Sequence, residues 1–276
     1  SHQSKEVILA YMTGANNTPE TDNYPISTNG GKTGTCPSAN LVDAYENADG
    51  TPFDWNSLTP GDDPYAGRDP RLQYSIVVND SQWNGRTMQC YDGGADGSGV
   101  MQATTTGYYL KKFLTDGLDL EKNQTSVHSW ILFRYAEILL NYAEAMNEAY
   151  GPDTDPFGDG KTARWAVNEV RGRVGMPPVT ASDETEMRNR IKHERRIELA
   201  FEDHRFWDVR RWGKADAESA LGVPVKGVSI TKTETGFTYA TKIVGTRTFQ
   251  EKMMLYPIPQ SEILRSAGKI EQNPGW

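Results

Sequence analysis

The chain has 276 residues with 29 Lys and Arg against 37 Asp and Glu, a formal net charge of −8. A globally acidic surface excludes a general nucleic-acid binder, which needs a basic footprint. Hydrophobic residues are 37% of the chain, aromatics still reach 10%, and mean hydropathy is −0.66, which together imply a real core carrying long, wet, aromatic-bearing loops.

The first stretch, residues 1–126, alternates short apolar runs with Gly, Asn, Asp, Thr and Pro clusters. Val7 to Tyr11 and Leu72 to Val78 read as short strands in a loop-rich region. Cys36 and Cys90 are the only cysteines. They form no CxxC and lie near no histidine at ligand spacing, so a zinc site is not expected; they read either as a disulfide or as two thiols.

From about Ser129 the period changes to 3.6. Ile131, Tyr135, Ile138, Tyr142, Met146 and Ala149 form one apolar stripe that Gly151-Pro152 ends. A second helix is expected from Thr162 to Val174, and a third from about Ser182, capped by Ser182 or Asp183, to about Phe201. A short helix follows from Arg205 to Trp212, and the tail 215–276 returns to strands and loops. Helix pairs of this length joined by Gly and Pro turns suit a TPR-like superhelix, although no clean 34-residue repeat is present. Trp130, Trp165, Trp207 and Trp212 lie in helical segments and are expected in the core. No run reaches the ~20 apolar residues of a membrane-spanning helix.

Arg188 to Lys214 holds seven Arg and two Lys against three Glu and two Asp. Acids and bases alternate at helical spacing, as in Arg195 with Glu198 and Asp208 with Arg211, with Phe201, Phe206, Trp207 and Trp212 interleaved. This pattern describes a partly buried structural network better than a phosphate-binding face. The four histidines have no HExxH spacing. Gly31-Lys32-Thr33 and Gly160-Lys161-Thr162 lack the leading glycine of a phosphate loop, and Asp153 to Arg164 lacks two oxygen ligands of a calcium loop. No cofactor or metal is expected. Two unassigned acids for glycoside hydrolysis stay open, because their separation is not readable from sequence.

The informative residues are aromatics in polar loops: Trp55, Trp83, Tyr65 and Tyr91, with Asn84 beside Trp83. A ring face packs on pyranose C–H groups, while neighbouring amides and carboxylates bond hydroxyls. These five are the candidate carbohydrate-binding residues. The competing reading is that each ring caps a local core.

Several segments resemble one known family. Phe133 to Ala145 (FRYAEILLNYAEA), Ala166 to Arg173 (AVNEVRGR) and His193 to Trp212 (HERRIELAFEDHRFWDVRRW) are similar to RagB/SusD motifs, with Asp203 where the family usually has Gly. Leu41 to Tyr45, Arg68 to Leu72, Tyr256 to Pro259 and the terminal QNPGW also fit, in family order. The resemblance implies a mainly α, TPR-containing fold with a loop-rich region carrying a few short strands. The change of texture along the chain divides it into a loop-rich, ligand-facing region 1–126, a helical region 127–214 carrying the motifs, and a loop and strand tail 215–276. The resemblance also implies a non-catalytic protein on the extracellular face of the outer membrane, which binds oligosaccharide and passes it to a SusC-like TonB-dependent transporter. In the family a lipidated Cys and further helices precede the segment equivalent to Ser4–Ile8. The sequence therefore reads as a C-terminal portion whose membrane anchor lies outside it. The alternatives are a surface glycoside hydrolase and a TPR scaffold that binds protein without glycan affinity.

Overall fold

A computed structural model describes residues 4–59 and 61–276. Strand β1 (Val7–Met12) leads into two short helices, α1 (Thr18–Asn23) and α2 (Ala39–Val42), and a 3-10 turn at Trp55–Ser57. Helix α3 (Arg71–Ser75) and strand β2 (Ile76–Val77) come next. Most of the expected Leu72–Val78 strand is thus a helical turn, whose C-terminal residue Ser75 hands over to β2.

Strands β3 (Gln82–Trp83) and β4 (Arg86–Thr87) form a two-residue hairpin. Asn84 and Gly85 sit at φ 49 and 72, the left-handed pair that an Asn-Gly turn supplies at low cost. Strand β5 (Tyr109–Leu110) pairs with β2, and β6 (Ser129–Arg134) pairs antiparallel with β1. The helix expected from Ser129 therefore starts later: Ser129–Arg134 is strand, paired with β1 across the chain, and α4 runs Tyr135–Tyr150. Gly151, at φ 81, ends it.

Helix α5 (Ala163–Gly172) is capped by the Thr162 hydroxyl and α6 (Glu184–Glu198) by the Asp183 carboxylate, each accepting a backbone N–H three residues on. Helices α7 (His204–Trp212) and α8 (Lys214–Leu221) follow, then a long hairpin of β7 (Val225–Lys232) and β8 (Phe237–Gly245), and a short α9 (Gln260–Arg265). Among the described residues, no helix is long and apolar enough to cross a membrane.

Two apolar cores result. One lies among α4, α5 and α6, with Leu140, Ala143, Val167, Met187 and Ile191 at its centre. The other gathers the loop region around Tyr24, Tyr45, Leu72, Trp83, Tyr108 and Tyr109, and takes Ile197 from α6 and Val228 and Ile230 from β7. Helix α6 serves both. Between the cores it presents Glu194 and Glu198, four residues apart and so on one face.

Arg71 of α3 reaches Glu194 at 2.5 Å and Glu198 at 2.9 Å; Arg134 reaches Glu198 at 2.6 Å; Arg171 bridges Glu194 at 3.0 Å and Glu46 at 2.8 Å. Arg195 pairs with Asp208 at 3.1 Å rather than with Glu198, and Asp208 also meets Arg211 at 2.9 Å. Glu194, Arg195, Glu198 and Asp208 of the arginine-rich segment accordingly lie in a buried network, while Arg188, Arg190 and Arg211 pair nearer the surface.

Two tryptophans depart from expectation. Trp130 is 42% exposed on β6 and Trp207 60% exposed on α7, because each points from its element away from both cores. Trp130 belongs to a wider apolar surface in which Ile8, Tyr11, Phe133, Tyr135 and Ile138 are exposed along β1, β6 and the start of α4. Cys36 and Cys90 are free thiols, and burial pushes that of Cys90 above its usual range.

Candidate functional site

The β7–β8 hairpin is held against the loop region by glycines. The Val228 amide donates to the Thr106 carbonyl at 2.8 Å. A Cβ on Gly107, at φ +87, would meet Val228 at 2.7 Å, and one on Gly227 would meet Thr106 at 2.8 Å. Only glycine permits that approach. The Asp92 amide adds a bond to the Ile230 carbonyl at 2.7 Å. So anchored, β8 carries Phe237 and Tyr239, two residues apart and on one face, into the loop aromatics.

The Tyr239 ring lies 5.7 Å from Tyr65, edge-on, and 6.4 Å from Trp55. Phe237 lies 5.4 Å from Tyr91. Trp55 is set by its 3-10 turn, which Asp54 caps, and its indole N–H donates to Asp43 Oδ1 at 3.0 Å. Lys232 stands 5.2 Å over the Tyr91 ring. Trp55, Tyr91, Phe237 and Tyr239 are half-buried, so each keeps part of a ring toward solvent.

Two depressions flank the Tyr65–Tyr239 contact. One, of about 240 Å³, is lined by Trp55, Leu58, Thr59, Asp62, Phe237 and Tyr239. The other, of about 360 Å³, is lined by Tyr65, Asp63, Gln73, Asn79, Asp80, Gln82 and Lys111 among others. Asn79 is buried and its Oδ1 accepts from the Cys90 amide at 3.0 Å; among the described residues its Nδ2 has no partner within 3.5 Å, but the side chain acts on the Tyr239 hydroxyl and opposes the rise that burial gives it. Burial raises the Tyr239 phenol to about 12 and Tyr65 well beyond its ordinary value, so both hydroxyls are neutral donors at any physiological pH.

Of the five expected residues, the structure brings together Trp55 and Tyr65 and places Tyr91 beside the same hairpin. Trp83 is not an exposed ring. It is 1% exposed and edge-on to Tyr24 at 5.1 Å, because alternation in the β3–β4 hairpin turns Gln82 outward and Trp83 inward. Tyr65 is also buried, its hydroxyl 3.3 Å from that of Tyr108, so it serves as a wall rather than an exposed platform. Asn84 ties a loop: its backbone N–H donates to Asp116 Oδ1 at 2.8 Å and its side-chain Oδ1 accepts from the Gly117 N–H at 2.8 Å.

Sequence reasoning missed Phe237, Tyr239 and Asn79. The alternation of Phe237 and Tyr239 in a strand was a signal for the first two. Nothing local marked Asn79.

Comparison with known proteins agrees with this architecture. The sequence model of the SusD family matches residues 5–276. A SusD-like protein from Bacteroides fragilis is 32% identical, with a TM-score of 0.83 over 99% of this chain and 55% of that one. A second B. fragilis structure, described as a SusD-like carbohydrate binding protein, is 29% identical with a TM-score of 0.75, covering 94% of this chain and 53% of that one. SusD-like protein P2 of Formosa agariphila is 29% identical over 182 residues, 63% of this chain and 31% of that protein. The chain thus spans about half the length of the solved relatives and about a third of that curated one. The mainly α, TPR-like class with loops and few short strands is the one these relatives share, and the chain belongs to the SusD family.

Proposed function

We propose that the chain binds oligosaccharide at the aromatic cleft between the loop region and the β7–β8 hairpin, without turnover. The observation that carries this reading is the pairing of partly exposed rings (Trp55, Tyr239, Phe237, Tyr91) with polar side chains beside them. Rings accept the apolar faces of a pyranose, and Asp63, Asp80, Gln73 and Gln82 accept and donate to hydroxyls. Trp83 and Asn84 act from beneath, shaping the hairpin that presents Gln82. The description of one solved relative as a carbohydrate binding protein supports the same reading. Within the whole protein, bound glycan passes to a SusC-like TonB-dependent transporter at the extracellular face of the outer membrane.

The test is retention on a panel of immobilised polysaccharides together with an assay for new reducing ends. Retention without release is the expected result. Release that survives repurification and disappears with one acid-to-amide change would show an enzyme. Absence of both would leave a protein-binding scaffold.

A further inference from the structure

A cavity of about 420 Å³ is linked to the aromatic cleft by the Trp55–Asp43 hydrogen bond: Trp55 lines the cleft and Asp43 lines the cavity. Its walls come from the start of α2, the C-terminal turn of α6, the start of α7, the end of α8 and the start of β7. Four cations line it, namely Arg196, Arg205, Lys226 and Arg247, against Asp43 as the single acid. That is a local excess of three positive charges in a chain whose net charge is −8.

Two neighbouring arginines on the same helices are paired with acids: Arg195 has Asp208, and Arg211 has Glu144 and Asp208. The two guanidiniums of these helices that line the cavity are not. Arg196 donates to the Asn40 carbonyl, and the Arg205 guanidinium lies 5.8 Å over the Trp212 ring; among the described residues neither meets a carboxylate. Burial, and for Arg205 also the charge of Arg196, lowers both guanidinium pKa values, that of Arg205 to about 10. Partly buried charges of one sign facing a shared space are costly unless an opposite charge enters it. Guanidinium forks match the paired oxygens of sulfate and carboxylate, and the volume falls within the range of small-ligand sites.

We propose that this cavity is an oxyanion-binding site, taking one sulfate or carboxylate group between Arg196, Arg205, Lys226 and Arg247. The group is either a free ion or a substituent of an acidic glycan that also reaches Trp55. The free-ion reading stands without the glycan-binding reading above, whereas the substituent reading rests on it.

The full chain is titrated with sodium sulfate, and with sodium chloride at matched ionic strength, by calorimetry and thermal melting. Sulfate is expected to give saturable heat and a rise in Tm that chloride does not give. Lys226→Gln with Arg247→Gln, both at exposed positions, is expected to weaken sulfate at least tenfold with the unliganded Tm unchanged. Arg205→Gln is expected to abolish binding, and the exposed double variant keeps the test valid if Arg205→Gln fails to fold. An O-sulfated oligosaccharide and its desulfated counterpart then identify the source. Displacement of sulfate by the sulfated sugar alone assigns the site to a glycan substituent, and sulfate binding without displacement assigns it to a free ion. Equal responses to sulfate and chloride, or wild-type sulfate affinity in the double variant, would overturn the proposal. Loss of glycan retention with sulfate binding intact sinks only the reading of the cleft.

Discussion

Around α6 the buried acids Glu194 and Glu198 are each shared by two or more guanidiniums, whereas the loops around Tyr239 carry half-buried rings beside polar side chains. Glu198 alone is shared by Arg71, Arg134 and Arg173, at 2.9, 2.6 and 2.7 Å. Asn79 and its neighbours sit on irregular backbone, where no ladder or helix supplies regular partners. The difference teaches where binding capacity resides. A network closed on itself has nothing left to offer a ligand, so its members are structural, while Arg196 and Arg205 of the same segment stand outside it. The half-buried rings of the cleft and the cations of the cavity beside Asp43 are the groups able to recognise something else.

The sharpest way to break this comparison is to open the network. Glu198→Ala leaves three guanidiniums without a shared partner and should cost about 3–5 kcal/mol, read as a lower urea midpoint. Burial alone would raise the Glu198 carboxyl, but Arg134, Arg173 and Arg71 outweigh it and hold it at about 2. Because the folded value lies below the ordinary 4.5, its stabilisation is complete above pH 4.5 and is lost as pH falls from there through about 2. The variant should therefore show a shallower acid limb of stability. A wild-type midpoint would mean the network is solvated.

Trp83→Ala should come next, at about 3–5 kcal/mol from the cavity beside Tyr24. Glycan affinity of its folded fraction should hold, unless the ring reaches ligand after all. Trp55→Ala should do the reverse, weakening glycan binding by roughly ten- to a hundredfold, equivalent to 1–3 kcal/mol, with a small change in Tm. Wild-type affinity in that variant would place the platform elsewhere. The smallest effect is expected from Trp207→Ala, whose largely exposed ring touches Phe206 and Tyr256; about 1 kcal/mol or less in thermal unfolding is expected. A loss as large as that of Trp83 would show that this surface is covered in solution.

The sequence by itself determined the helices. The helical period through Tyr142 and Met146, the caps at Thr162 and Asp183, and the stop at Gly151 are local signals, although the face that α4 buries runs through Leu139, Leu140, Ala143 and Met146 while Tyr135 and Ile138 face solvent. It also showed the arginine-rich segment to be a partly buried structural network, although most of its partners, such as Arg71, Arg134, Arg171 and Glu144, come from distant segments. What it left undetermined is which aromatics see water. Asn84-Gly85 marks a hairpin, but only the tertiary structure turns Trp83 onto Tyr24 and leaves Trp130 and Trp207 outward on elements that looked able to bury them. The strand start of the Ser129 segment was likewise decided at a distance, by pairing with β1. Backbone periodicity and capping act within a few residues and are written in order along the chain. Burial depends on which distant segment arrives opposite, and a polar loop and a core-facing hairpin read alike until Tyr24, Val228 and Tyr239 are in place.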